Sequence, residues 1–476
     1  MTHRTSWSAL CLCAGLLAAS CGAESAAPAT SVPPTAQGSI DAPEPVQTTA
    51  PETTAPETTA PETTAPETTA PETTAPLPSF SALSEQLFDQ TVLHEVVIEI
   101  GDDELALLDP PTDDRVPVRL TVDGTAIDEA GLRLKRGFGQ FRPLDDKPGF
   151  SIETDEFVDD LLLFDVERFT LGNAAWDHSF VNEPIVYELY QDAGLPAPRT
   201  ALARVTVNGE TFGVYVMRET YDERMLAQHF ADPDGNLYES TGAHDAPEMG
   251  LELRTNERRD DTSDLDAIIE VVETASVEDY RAAIEELVDV DELLTYWAIE
   301  ALVGHHDGYA YDLSDPALLP GAGDQIWNPY PNNFYVYHDP TSDRWVFLVH
   351  GADMTLGMGS WSTYDVGPAT PVVLPPKETA DIARRLWEDP TFRLEFVERV
   401  RWVLDEIWDV AALNARADML ADLVRADGLT GSREFVTMGE FEQSLADRKD
   451  FLTRRADAVR AELATWDSVA EEAEAP

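Results

Sequence analysis

Cysteine is almost missing from this chain. Its three cysteines, Cys11, Cys13 and Cys21, all lie near the start. No disulfide can brace anything beyond Cys21, so an exported fold would rest on its apolar core alone. Basic residues are also few. Lys and Arg number 32 against 90 Asp and Glu, giving a formal net charge of −58. A chain this acidic lacks the cationic footprint that nucleic acid requires, which excludes a nucleic-acid partner. Its surface is instead well solvated. Long apolar runs are missing too, and no segment past the N-terminus has the length to span a bilayer. There is no Gly-x-Ser-x-Gly elbow and no Walker loop. His305, His306, His338 and His350 match no zinc spacing and have no Cys partner.

What is present begins with an export pattern. Arg4 precedes an apolar run from Ala9 to Ala19, the composition of a signal peptide over residues 1–20. The run ends Leu17-Ala18-Ala19-Ser20-Cys21, which resembles a bacterial lipobox. That predicts cleavage before Cys21 and acylation of its thiol, hence a lipoprotein held by this anchor on the extracytoplasmic side of a bacterial envelope. Residues 21–79 are low in complexity and rich in Pro, Thr and Glu. Five Pro-Glu-Thr-Thr-Ala repeats run from Pro51 to Ala75. Proline at every fifth residue blocks a helix and little is apolar enough to bury, so this segment reads as a disordered linker or stalk.

The folded region is expected over 80–476. Val96–Ile100, Val118–Val122, Gly131–Lys135 and Phe150–Glu153 read as strands, the middle two around an Asp123-Gly124 turn. Phe180–Ala193 has helical periodicity. Ala203–Val207 and Phe212–Val216 alternate on either side of Asn208-Gly209, a pair suited to a type I′ hairpin. Residues 261–303 read as helices that stop at Gly304, and 377–465 as a helical extension broken between Gly428 and Gly431. The class is therefore α+β, with a strand-rich N-terminal part and a helical C-terminal part.

Chemistry concentrates in one stretch. Gly304-His305-His306-Asp307-Gly308 forms a loop after a helix. Asn332-Asn333 then leads into the strand Phe334–Tyr337, and the return strand Trp345–Val349 ends in His350-Gly351-Ala352-Asp353. This order of acid, Asn, hairpin and acid is similar to the order of catalytic and metal-binding residues in protein kinases. Further blocks carry a closer resemblance. They include Gly131-Leu132-Arg133-Leu134-Lys135-Arg136-Gly137, Lys147-Pro148-Gly149-Phe150-Ser151-Ile152, Leu171-Gly172-Asn173, Gly194-Leu195-Pro196, Gly213-Val214-Tyr215 with Glu219, and Gly235-Asn236-Leu237-Tyr238. In this order and spacing, over about 92–360, the chain resembles the CotH kinase-like family, named for a spore coat protein.

The resemblance implies an atypical protein-kinase-like fold that phosphorylates Ser or Thr of exported or coat proteins, using ATP with Mg²⁺ or Mn²⁺. It makes Asp307 the base that accepts the hydroxyl proton, and Asp353 and Asn333 the metal ligands, with Asn328 and Asn332 as rivals of Asn333. Lys147 is the candidate for the phosphates, with Lys135 and Arg136 as alternatives beside the Gly137-Phe138-Gly139 turn. Glu219 is the candidate partner of the phosphate-binding lysine. His350 stands where the family often has Trp. The competing reading is a catalytically inactive structural or binding lipoprotein of the cell surface.

Overall fold

A computed structural model describes residues 80–474 except 109–113, 138–140, 243–244, 246–249, 260, 316, 319–329 and 358–365. The expected signal segment, Cys21, the linker, Phe138, Gly139 and Asn328 lie outside the described residues.

Alternation of apolar and polar residues builds the first half. In β2 (Val116–Val122), Val116, Val118, Leu120 and Val122 point inward while Pro117 and Arg119 face out. The Asp123-Gly124 turn, with φ of 48° and 81°, feeds β3 (Thr125–Leu134) back antiparallel. β1 (Leu93–Glu99) flanks β2, and β4 (Phe150–Glu153) and β5 (Arg168–Gly172) follow β3. The hairpin of β6 (Thr200–Val207) and β7 (Glu210–Glu219) turns at Asn208-Gly209, again with φ positive at both positions. β7 pairs with β5, and β6 pairs parallel with β1. The result is a closed barrel in the order β1-β2-β3-β4-β5-β7-β6, which leaves no strand edge open. Val96, Ile98, Leu120, Leu132, Ile152, Phe169, Val205 and Tyr215 fill its interior. That closure joins strands far apart in sequence, and periodicity alone does not announce it.

Two short helices, α1 (Ala82–Leu87) and α2 (Asp102–Leu107), precede β1 and β2. α3 (Asn182–Asp192) lies between β5 and β6, and α4 (Glu223–His229) follows β7. A second sheet has the order β11-β10-β8-β9, from β8 (Leu237–Ser240), β9 (Leu251–Leu253), β10 (Phe334–Asp339) and β11 (Arg344–Val349).

The second half is helical: α5 (Ser263–Thr274), α6 (Val277–Glu285), α7 (Val290–Val303), α8 (Asp381–Trp387), α9 (Pro390–Trp402), α10 (Val410–Asp427) and α11 (Met438–Glu474), with a π-helical turn over Val403–Ile407. In α7 every residue but Asp291 and Glu292 is buried, as expected of a helix apolar on all sides. It is the axis of the larger core, which draws on α3, the second sheet and the C-terminal helices. Asp389 caps α9, with Pro390 in its first turn, where a missing N–H costs nothing. Both strands and helices are thus present, strands first and helices last. Among the described residues no helix is long and apolar enough to cross a membrane.

Candidate functional site

Asp307 owes its place to the end of α7. Gly304 takes the left-handed conformation, φ 72°, and the His305 N–H bonds back to the Glu300 carbonyl at 3.0 Å. The chain then turns under Glu300, whose buried carboxylate accepts the N–H of Ala310 (3.0 Å) and of Tyr311 (3.3 Å). Burial pushes Glu300 up to about 7. Lys377 closes the loop from the other side, donating to the Gly308 carbonyl at 2.8 Å and the Tyr330 carbonyl at 3.1 Å. Burial draws its pKa down, while Asp307 and Glu300 oppose the fall. His305 and His306 are buried and pushed down to about 3, so both are neutral.

Among these buried neighbours Asp307 itself is only half-buried. Its Oδ2 accepts from Asn333 Nδ2 at 2.8 Å and its Oδ1 from Asn332 Nδ2 at 3.3 Å. Asn333 Nδ2 also reaches the Asp307 carbonyl at 3.1 Å. With its hydrogens spent on Asp307, Asn333 turns Oδ1 toward Gly351: a Cβ there would stand 2.5 Å from that oxygen. Gly351 also has φ 55°, so position 351 needs glycine for two reasons. Gly351→Ala should therefore push the Asn333 amide aside and cost roughly 1–3 kcal/mol, read as a fall in Tm.

Asp353 lies half-buried at the exit of β11. Its carbonyl is held by Asn182 Nδ2 at 2.8 Å, and its charge acts on Lys135. Lys135, at the end of β3, is half-buried and Arg136 beside it is exposed. Both line a cavity of about 340 Å³ that Arg133, Arg218, Tyr335 and His350 also line. Burial, then the nearby Arg218, pushes Lys135 down to about 7, while Glu183, Asp353 and Glu239 pull it up. An anion bound there should lose its lysine partner as pH rises. Affinity for sulfate, whose own charge is constant there, should fall between pH 6 and 8.5, measured by calorimetry, and Lys135→Arg, charged throughout, should remove the dependence.

The remaining expected residues are placed differently. Lys147 is sealed in the interior, its Nζ donating to the Val214 carbonyl at 2.7 Å and to both oxygens of Glu434 at 2.8 and 3.0 Å. The rings of Phe180, Tyr215 and Phe435 surround it. The ammonium is committed within the core and does not line the cavity, which corrects the expectation that it meets phosphates. Glu219 does line the cavity, but its carboxylate is taken by Arg199, with Nε at 2.9 Å. The glutamate that sequence reasoning missed is Glu183, in the first turn of α3. It pairs with Arg218, accepts from Tyr187 Oη at 2.9 Å, and acts on Lys135. Its signal was the Asn182-Glu183-Pro184 start of a helix, where proline marks the first turn. His350 meets Tyr335 edge-on, ring centroids 5.0 Å apart. Burial holds it well below its ordinary pKa, hence neutral.

The donors on offer are oxygens: the Asn333 amide oxygen faces Gly351, two residues before Asp353, and a hard divalent cation such as Mg²⁺ takes few such oxygens when phosphates complete its shell. The cavity brings together Arg133, Lys135, Arg136, Arg218 and Arg254 with Glu219 and Glu239; Asp307, Asn333 and Asp353 are not among its lining residues, and the link between the two groups is the field of Asp353 at Lys135.

Comparison with known proteins gives the family. The family model for the CotH kinase protein matches residues 136–459, and the chain belongs to that family. It is also 24% identical over 149 residues to the inner spore coat protein H of Bacillus subtilis (strain 168). That match covers 29% of this chain and 41% of the relative, so less than half of the relative's length is spanned.

Proposed function

We propose that this protein is a metal-dependent phosphotransferase of atypical kinase-like fold, moving the γ-phosphoryl group of ATP to a Ser or Thr hydroxyl of an exported or coat protein. The observation that carries the reading is the 2.8 Å bond between Asp307 and Asn333, on the hairpin whose exit bears Asp353. Lys135, Arg136 and Arg218 would hold phosphate oxygens through charge-assisted bonds, with Glu183 balancing Arg218. Asn333 and Asp353 would hold Mg²⁺ or Mn²⁺, which when bound neutralises charge on the phosphates. Asp307, its rotamer fixed by Asn332 and Asn333, receives the proton of the attacking hydroxyl. The hydroxyl oxygen gains the bond to phosphorus, and ADP leaves with the bridging oxygen. Such a transition state asks mainly for positioning and charge, which is what these residues offer.

The export pattern and the name of the Bacillus relative favour an extracytoplasmic substrate, with the protein tethered by an acylated Cys21 and held off the membrane by its linker. The presence of His350 where the family often has Trp favours a second reading, a surface lipoprotein that binds through this cleft without catalysis. The test is thermal unfolding with ATP and Mg²⁺ or Mn²⁺. Saturation at 100 times Kd should add about 2.7 kcal/mol and raise Tm. No shift with either metal overturns the nucleotide site. A shift without transfer leaves the binding reading.

A further inference from the structure

We infer that α11 is a built-in brace of this site, and that its buried Arg448 and Arg455 are positioning residues for the loops of Asp353 and Asp307. The geometry stands by itself; its consequence for metal and nucleotide rests on the function proposed above.

Arg448 and Arg455 are both fully buried, two turns apart on one face of α11. Arg448 Nε donates to Asn182 Oδ1 at 2.9 Å. That fixes the Asn182 amide so that its nitrogen faces the other loop, where it donates to the carbonyls of Asp353 (2.8 Å) and Thr355 (2.9 Å). Asn182 is itself buried, and its own N–H is held by Asp177 Oδ2 at 2.8 Å. The link runs from helix to amide to the segment bearing the metal carboxylate. Along the same face, Arg455 donates to the carbonyls of Leu302 (2.9 Å) and Ala301 (2.8 Å). These lie in the last turn of α7, just before the Gly304 stop that sets out Asp307. A cation at a helix C-terminus satisfies orphan carbonyls and complements the helix dipole. Arg455 also ties in the carbonyls of Pro368 and Thr370.

Burying two guanidinium groups is expensive, and an apolar side chain would pack a helix at less cost. What the arginines add is direction: Arg448 ends on the Asn182 amide that holds the Asp353 segment, and Arg455 on main-chain carbonyls of the last turn of α7 and of Pro368 and Thr370. The family match extends to residue 459, past both arginines.

The test uses the full chain with Arg448→Met and Asn182→Asp. The aspartate keeps an acceptor for Arg448 but sets oxygen against two carbonyls, so it breaks the loop half of the link alone. Hydrogen exchange is read over Ala352–Gly357, with β2 and β3 as internal reference. Exchange there should rise about tenfold or more in both variants while the reference strands hold. The Mn²⁺ concentration needed for half of the ATP-dependent Tm rise should increase about 10–100-fold, as when outer-shell partners of a metal site are lost. Excess Mn²⁺ should restore the full rise, and Arg448→Lys should fall between wild type and Arg448→Met. Unchanged exchange over Ala352–Gly357 overturns the brace. If Arg448→Met does not fold, Asn182→Asp decides it. Failure of the unaltered chain to respond to Mn²⁺ and ATP overturns the functional reading and not the brace, which the exchange rates decide by themselves.

Discussion

Asp307→Asn should lower phosphoryl transfer by roughly 10²–10⁴-fold, the span of a positioned general base, while leaving the ATP-induced rise in Tm intact. The substitution keeps size and removes only the proton acceptor. Asn332, the longer of its two amide contacts at 3.3 Å, would turn to accommodate the new donor and leave the Asn333 oxygen in place, and the loop is otherwise held by Glu300 and Lys377. Asp353→Asn should fail in a different way. Losing the carboxylate weakens metal binding, so the Tm rise should itself shrink and should need more metal to appear. The contrast lies in which quantity moves: kcat for Asp307, metal dependence for Asp353. Two variants that lose nucleotide binding equally, with transfer falling only in proportion, would contradict these separate roles.

The second large effect concerns Lys147. Lys147→Met should cost about 3–5 kcal/mol of stability, because it strands the Glu434 carboxylate in the interior. Glu434 has a side chain only 2% exposed, and its Oε2 also accepts the Val214 N–H at 3.1 Å. Burial lowers the Lys147 pKa, and Glu434 works against that. Replacing both, as Lys147→Met with Glu434→Leu, should recover much of the loss, since an apolar pair removes the unpaired charge. Denaturant unfolding of the two single variants and the double reads this directly. ATP affinity, corrected for stability, should stay put in all three. A drop in affinity at unchanged stability would return Lys147 to the phosphates.

The contrast between Lys147 and Lys135 shows where sequence reasoning stops. Both lysines stand out in a lysine-poor chain, and both adjoin strands. Their separation is decided by Glu434, nearly three hundred residues further on, and no local pattern reports such a contact. The partner of Glu219 was missed for the same reason, Arg199 being supplied across the β6–β7 pair. By contrast, the turns at Asp123-Gly124 and Asn208-Gly209, the buried α7 and its Gly304 stop were legible, because turn chemistry and helical periodicity are local. The β10–β11 hairpin between Asn333 and Asp353 was legible too, since alternating strands around a short turn bring their own ends together. Asn332 and Asn333 could not be ranked from sequence. The structure sets both on Asp307 and turns the oxygen of Asn333 toward Gly351. The barrel closure between β1 and β6 and the arginines of α11 depend on long-range packing and had no signal in the chain.

The most direct test of the proposed function is transfer of label from γ-labelled ATP, with Mg²⁺ or Mn²⁺, to the protein itself or to a Ser-rich acceptor. The account predicts label in the unaltered chain, lost on chelation of the metal and lost in both Asp307→Asn and Asp353→Asn. Label that persists in both variants would show the chemistry to lie elsewhere. No label with either metal, from a chain that ATP stabilises, would contradict a phosphotransferase and leave a nucleotide-binding protein of the CotH family.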